Sequence, residues 1–204
     1  MRLFPLLLWL TACAADPPAL TPGPPPLAPP PAPPPPPPPP PGPVRFDNGL
    51  APFTTVHPSD TIASASACRD TGCEFTFVLK RPAGAATSRA VFHLPKPAAT
   101  AEALAKAQLD GPDSLFRRHP TWTRGQPTAA DPSLPWLVRG VRFEDGASRG
   151  RVLIGTSPAG AFYVVEEIAA DDHDRASAAF ADLYAHIEMR PISDPTRARA
   201  ADPR

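Results

Sequence analysis

The stretch RVLIGTSPAGAFYVV, residues 151–165, decides the fold of this chain of 204 residues. It contains two runs, residues 151–155 and 161–165, that are rich in the β-branched and aromatic residues typical of strands. Between them stands Ser157-Pro158-Ala159-Gly160, a turn-forming sequence. The stretch therefore predicts a β-hairpin.

A helix is predicted directly after this hairpin. It begins at Asp171 and ends before Pro191. Its apolar residues recur at spacings of four, three and four, which is the period of a helix with one buried face. We expect that face to pack on the sheet through Ala176, Phe180, Leu183 and Ile187.

The chain before the hairpin alternates between strands and one more helix. Strands are predicted at residues 53–56, 74–79, 90–94 and 136–143, and Phe75, Phe77 and Leu79 share one face of the second. Thr100 is expected to cap a short helix that runs to about Asp110 and stops at Gly111. Its apolar side consists of Ala101, Leu104, Ala105 and Leu109. The predicted fold class is α+β, with a mainly antiparallel sheet and two helices.

This order of elements resembles the PsbP-like α/β/α sandwich, a fold that includes the DcrB-type bacterial lipoproteins. The most similar stretch is residues 149–189, where a strand, a Gly-tipped hairpin, a second strand and a closing helix follow one another. The resemblance implies an accessory or binding protein, because members of this fold are mostly of that kind.

The N-terminus looks like a leader for export. Arg2 and a short apolar run precede Leu10-Thr11-Ala12-Cys13, which resembles a bacterial lipobox. The run is shorter than the ~20 residues that span a bilayer core, so residues 1–12 are predicted to be a lipoprotein signal peptide. The resemblance implies lipidation of Cys13, and the absence of aspartate at position 14 favours the outer membrane. The alternative is ordinary secretory cleavage at Ala12-Cys13-Ala14.

A proline-rich segment separates the leader from the rest of the chain. Residues 13–44 are predicted to be a lipid-anchored linker, because proline fixes φ and lacks the N–H group that helices and sheet interiors need. Such a segment is expected to be a stiff polyproline II spacer, and the alternative is a ligand for a domain that recognises polyproline II. Residues 45–192 are expected to form one globular domain, and the polar residues 193–204 a disordered tail.

The two remaining cysteines are close in sequence. Cys68 and Cys73 bracket Arg-Asp-Thr-Gly, in which Gly72 can adopt a positive φ. In an exported protein such a pair most often forms a structural disulfide. Free thiols remain the alternative, while the spacing is not that of C-x-x-C metal or redox sites.

Charge and motif content argue against several functions. The chain contains 20 basic residues, Lys and Arg together, and 20 acidic residues, Asp and Glu together, so its formal net charge is zero. A nucleic-acid partner is therefore not expected. Asp171-Asp172-His173-Asp174 could suggest a metal site, but acidic residues at a helix start more often cap it, and we expect Asp171 and Asp174 to do so. His93 is expected on the outer face of its strand. No catalytic, metal or cofactor residues are predicted.

One basic segment is a candidate contact surface. Arg117, Arg118, Trp122 and Arg124 mix cations with an aromatic ring, so they could bind an anionic glycan or a lipid head group. The alternative is a solvated loop with Trp122 in the core.

The sequence thus predicts a lipid-anchored, non-catalytic envelope protein that binds another envelope protein or an envelope polymer. The alternative is an unrecognised envelope hydrolase or metal-dependent enzyme. A pocket that gathers a histidine with a carboxylate or a serine would favour this alternative.

Overall fold

The computed structural model describes residues 42–59, 61–81, 85–128, 131–146 and 148–192. The predicted signal peptide, Cys13, the linker up to residue 41 and the tail after residue 192 lie outside the described residues. The predicted α+β class with mainly antiparallel sheets is confirmed.

A seven-stranded antiparallel sheet forms the centre of the fold. Its spatial order is β3-β4-β5-β9-β8-β7-β6. The strands are β3 Ile62–Arg69, β4 Gly72–Leu79, β5 Arg89–Pro95, β6 Thr123–Thr128, β7 Leu137–Asp145, β8 Ser148–Ser157 and β9 Gly160–Ala169.

The predicted hairpin is strands β8 and β9, which pair along their whole length. Ser157 pairs with Gly160, so the loop between them is Pro158-Ala159. Gly160 has φ +123°, a conformation that L side chains rarely adopt. The glycine at this position is therefore a requirement of the turn.

A smaller sheet covers part of the large one. It contains β1 Pro43–Asp47, β2 Phe53–Pro58 and β10 Glu188–Met189, in the order β1-β2-β10. Strand β1 begins at Pro43, which pairs with Pro58, two residues before the expected domain boundary at residue 45. Proline is tolerated at the first position of an edge strand.

Three helices accompany the sheets among the residues that the structure describes. The first, α1 Ala101–Ala105, continues as one π-helical stretch, Lys106–Asp110, and α2 Leu115–Arg118 is a single turn that the sequence did not predict. Thr100 caps α1 as expected, since its Oγ1 accepts a hydrogen bond from the Ala103 amide at 3.2 Å. The last helix, α3 His173–Ala185, follows a 3-10 turn. No helix in the described ranges is long and apolar enough to cross a lipid bilayer.

Each face of the large sheet has its own core. On one face α3 and the small sheet enclose a cluster of aromatic rings. The expected face of α3 is confirmed at Ala176, Phe180 and Leu183, which are fully buried, while Ile187 lies beyond the helix end and is partly buried. On the opposite face α1 and α2 bury Leu104, Leu109 and Leu115 against Val152 and Ile154. Because both faces are covered, the central strands β8 and β9 hold apolar residues on both sides.

The expected capping of α3 is wrong. The residue before the helix is Asp172, and its side chain makes no hydrogen bond to the first turn. Asp171 instead accepts two hydrogen bonds from Arg81, at 3.0 and 2.8 Å, and Asp174 is exposed beside His173. A forked guanidinium binds a carboxylate more strongly than a backbone amide does, so Arg81 displaces the cap.

Candidate functional site

A polar cleft of about 250 Å³ lies at one end of the large sheet. The turn between β3 and β4 forms one wall, and β5 and β9 form its base. Its polar side chains come from the strands, from the turn and from the π-helical stretch after α1: Arg69, Glu74, His93 and Tyr163, then Thr71, then Gln108.

Strand register places three of these groups in a row. Glu74 on β4 is directly opposite His93 on β5, and His93 is directly opposite Tyr163 on β9. Residues that face each other in antiparallel strands project on the same side, with Cβ atoms roughly 5 Å apart. The row thus spans three strands and lies on the face opposite the aromatic core.

His93 contacts both neighbours. Its Nδ1 lies 3.2 Å from a carboxylate oxygen of Glu74, and its ring stacks on Tyr163 with centroids 4.4 Å apart and an angle of 11°. The histidine side chain is 22 % exposed and that of Glu74 is 58 % exposed. A carboxylate on one ring nitrogen orients the imidazole and leaves its other nitrogen available to a ligand.

The surroundings of His93 favour its neutral form. Burial lowers the pKa of His93, while the charge of Glu74 acts in the opposite direction and that of Arg118 adds to the lowering. Burial also raises the pKa of Tyr163. At neutral pH the cleft therefore presents a neutral imidazole and a neutral phenol beside one carboxylate.

A disulfide closes the wall of the cleft, as the sequence predicted. Cys68 and Cys73 are directly opposite each other on β3 and β4, and their sulfur atoms are bonded. Gly72 precedes Cys73 with φ +146°, and any β-carbon there would collide with the Leu94 carbonyl. The bond and the glycine together fix this hairpin tip against β5.

The basic segment expected to contact a partner is only partly near the cleft. Arg118 donates a hydrogen bond to Gln108 at 2.8 Å and interacts with Tyr163, so it borders the cleft. Arg124 donates to the Leu109 carbonyl and to Asp110, at 2.9 and 2.8 Å. Arg117 is exposed and has no ion-pair partner within the described ranges.

Trp122, the fourth residue of that segment, is buried. Its ring stacks on Phe143 with centroids 3.9 Å apart, which confirms the expectation that it lies in the core. It therefore supports strand β7 beneath it.

The acidic stretch before α3 forms ion pairs with arginines. Asp171 binds Arg81, and Asp172 binds both Arg81 and Arg175. Hydrogen bonds from these arginines hold the pKa of each carboxyl below its usual value. Across the described residues, no group of three or more His, Cys, Asp or Glu side chains could hold a metal ion.

The row of Glu74, His93 and Tyr163 was not predicted as a site. Alternation correctly places His93 on the face away from Phe92 and Leu94, but that face is partly covered rather than open. Only the strand order, in which β9 pairs with β5, brings Tyr163 to His93.

Comparison with known proteins gives this chain no relative: no family model, no curated protein and no solved structure matches it.

Proposed function

We propose that this chain is a lipid-anchored protein of the cell envelope, whose domain binds another envelope protein or an envelope polymer without catalysing a reaction. The lipobox-like sequence at Cys13 and the proline-rich segment support the anchor and the stalk. The Cys68–Cys73 disulfide supports export, because structural disulfides persist in oxidising compartments.

The observation that carries the binding role is the polar row in the cleft. Glu74 offers a carboxylate, Tyr163 a hydroxyl and His93 a free ring nitrogen within one cavity of about 250 Å³. That volume is slightly below the 300 Å³ or so at which small-molecule pockets begin, so it suits one sugar unit or one side chain. A polymer or a protein would extend beyond the cleft.

The layers of the fold support kinship with the PsbP-like sandwich. One layer is α3 with the small sheet, the middle layer is the large sheet, and α1 with α2 forms the third. We propose this kinship on architecture alone, and the accessory role of that fold agrees with a binding domain.

Site-specific photo-crosslinking tests the binding role. A photoreactive amino acid replaces Thr71 at the wall of the cleft in the full-length, lipidated protein, and cells are illuminated. The matched control carries it at Val138, which is 56 % exposed on β7. We expect adducts from position 71 only, and their loss when His93→Ala is added. Equal adducts at both positions, or none at 71, would contradict the proposal.

A second candidate function is hydrolysis with His93 as general base. The contact between His93 and Glu74 favours it, because a carboxylate that orients a histidine is a common catalytic arrangement. The nucleophile would be water, since Cys73 is oxidised and the hydroxyls that line the cleft belong to Thr71 and Tyr163. An assay of the purified protein on chromogenic esters and glycosides distinguishes the binding role from hydrolysis. Turnover by the wild type that is absent in His93→Gln would establish an enzyme.

A further inference from the structure

A second groove lies on the other face of the large sheet, beside α3. Its volume is about 500 Å³, and it shares no lining residue with the cleft. Strands β7, β8 and β9 form its floor, and α3 forms one side. Three arginines line it, together with two glutamates, a histidine and a serine: Arg142, Arg149, Arg151, Glu144, Glu166, His173 and Ser177.

Strand register explains why the arginines are adjacent. Arg142 on β7 is directly opposite Arg151 on β8, and Glu144 is directly opposite Arg149. Arg151 is in turn directly opposite Glu166 on β9. Like charges that face each other across strands are destabilising unless a counter-charge is present.

The two glutamates neutralise two of the three arginines. Glu166 receives hydrogen bonds from Nε and a terminal nitrogen of Arg151, both 2.8 Å long. Glu144 lies 3.7 Å from Arg149. Arg142 has no carboxylate partner within the described ranges, so the groove carries one uncompensated guanidinium in a chain whose formal net charge is zero.

The floor of the groove is rigid. The guanidinium of Arg151 lies over the ring of Tyr184 at 5.7 Å, and Glu166 holds it from the side. On α3, Ser177 and His173 face the same space and can donate hydrogen bonds. A ligand that accepts bonds on several oxygens fits this set of donors.

We propose that this groove binds the phosphate group of an organic phosphate ester, with Arg142 as its principal cation. Phosphate matches the forked geometry of guanidinium and has enough oxygens to reach Arg142 and the α3 side chains together. The volume leaves room for a sugar or glycerol moiety. The same group occurs in soluble sugar phosphates and in lipid head groups, and the experiment separates these sources.

The test is a calorimetric titration of the full-length protein in detergent. The probes are glucose 1-phosphate, inorganic phosphate and, as a control, glucose. We expect saturable binding of glucose 1-phosphate at low salt and no binding of glucose. Arg142→Gln should weaken binding at least tenfold, the effect of losing one charged hydrogen bond worth about 1.5–3 kcal/mol. Arg139→Gln changes an exposed arginine of the same strand that does not line the groove; it is the matched control and should bind like the wild type.

A vesicle arm identifies a lipid source. Full-length Cys13→Ser protein is sedimented with phosphatidylcholine vesicles that contain or lack phosphatidylglycerol. If the protein binds the anionic vesicles and Arg142→Gln abolishes that binding, the phosphate belongs to a lipid head group. The proposal is overturned if no probe binds in either experiment, or if Arg142→Gln binds as tightly as Arg139→Gln. The outcome is independent of the cleft, because His93→Ala should leave phosphate binding intact.

Discussion

Arg151 and Glu166 form a two-pronged ion pair beneath α3. The two residues are directly opposite on β8 and β9, and both of their hydrogen bonds measure 2.8 Å. The Glu166 side chain is only 3 % exposed and that of Arg151 is 26 % exposed. Burial lowers the pKa of Arg151, but its hydrogen bonds to Glu166 and the charge of that carboxylate raise it by more, so Arg151 keeps its positive charge.

Glu166→Gln should destabilise the domain strongly, because it leaves the Arg151 charge partly buried without its partner. Breaking a buried pair costs about 3 kcal/mol or more. The matched control is Glu167→Gln, which removes the more exposed ion pair with Arg89 and should cost at most about 1 kcal/mol. Urea unfolding measures both free energies. Equal losses would show that the Arg151 pair adds nothing specific.

The pKa of His93 is predicted to lie below its ordinary value of about 6.5. Burial is the main cause, and the charge of Glu74 opposes it. Glu74→Gln should therefore lower the pKa of His93 further, which an NMR titration of the ring proton detects. Tyr163→Phe is the control and keeps the carboxylate. An increase in the His93 pKa in Glu74→Gln would contradict this assignment.

This pKa shift also sets the sign of one pH effect. The unfolded chain binds a proton at position 93 more readily than the folded one, so the folded state loses stability as pH falls from about 6.5 towards the lowered pKa. His93→Gln should remove that part of the pH dependence. Thermal melts of the wild type and the variant between pH 7.5 and 5 measure the difference; parallel curves would refute it.

The Cys68–Cys73 bond should contribute modestly to stability. A loop of about six residues gives roughly 2 kcal/mol in the chain-entropy model. The double variant Cys68→Ser, Cys73→Ser should lose that amount and remain folded, because β3 and β4 also pair through eight residues. Reductant added to the wild type is the control and should reproduce the loss. Intact mass after alkylation should show no free thiols at these positions without reductant.

The closing helix separates core residues from surface residues. Phe180 is fully buried, so Phe180→Ala should cost about 3–5 kcal/mol. Asp171→Ala removes an exposed ion pair, and His173→Ala removes an exposed ring, so both should change stability far less. Melting with and without Zn²⁺ or chelator completes the series. A metal-dependent shift that His173→Ala abolishes would reopen the metal hypothesis.

The hairpin and the helices α1 and α3 were predictable because their residues carry strong local signals. Continuous runs of β-branched and aromatic residues mark β8 and β9, and the four-three-four spacing marks the buried face of α3. In contrast, β3 contains mostly alanine and serine and is exposed at seven of its eight residues. An edge strand with no buried face leaves no periodic signal, so it was missed. The other edge strand, β6, was missed because Pro127 interrupts it.

The candidate sites depend on pairing that local sequence does not encode. Glu74, His93 and Tyr163 are far apart in the chain, and the sequence around each one is that of an ordinary strand. The same holds for Arg142 and Arg151, which meet only through the register of β7 with β8. The prediction for the acidic residues before α3 was wrong for the opposite reason. Their local pattern indicated a helix cap, but Arg81, about ninety residues earlier in the chain, binds them instead.

We propose that Cys13 anchors the chain to a membrane, and metabolic labelling of this residue tests the proposal. Cells that express the full-length protein are grown with a clickable palmitate analogue, and the protein is isolated and imaged. The account predicts label in the wild type and in the Cys68→Ser, Cys73→Ser variant, and none in Cys13→Ser. Equal labelling of wild type and Cys13→Ser, or no label in any of them, would contradict it.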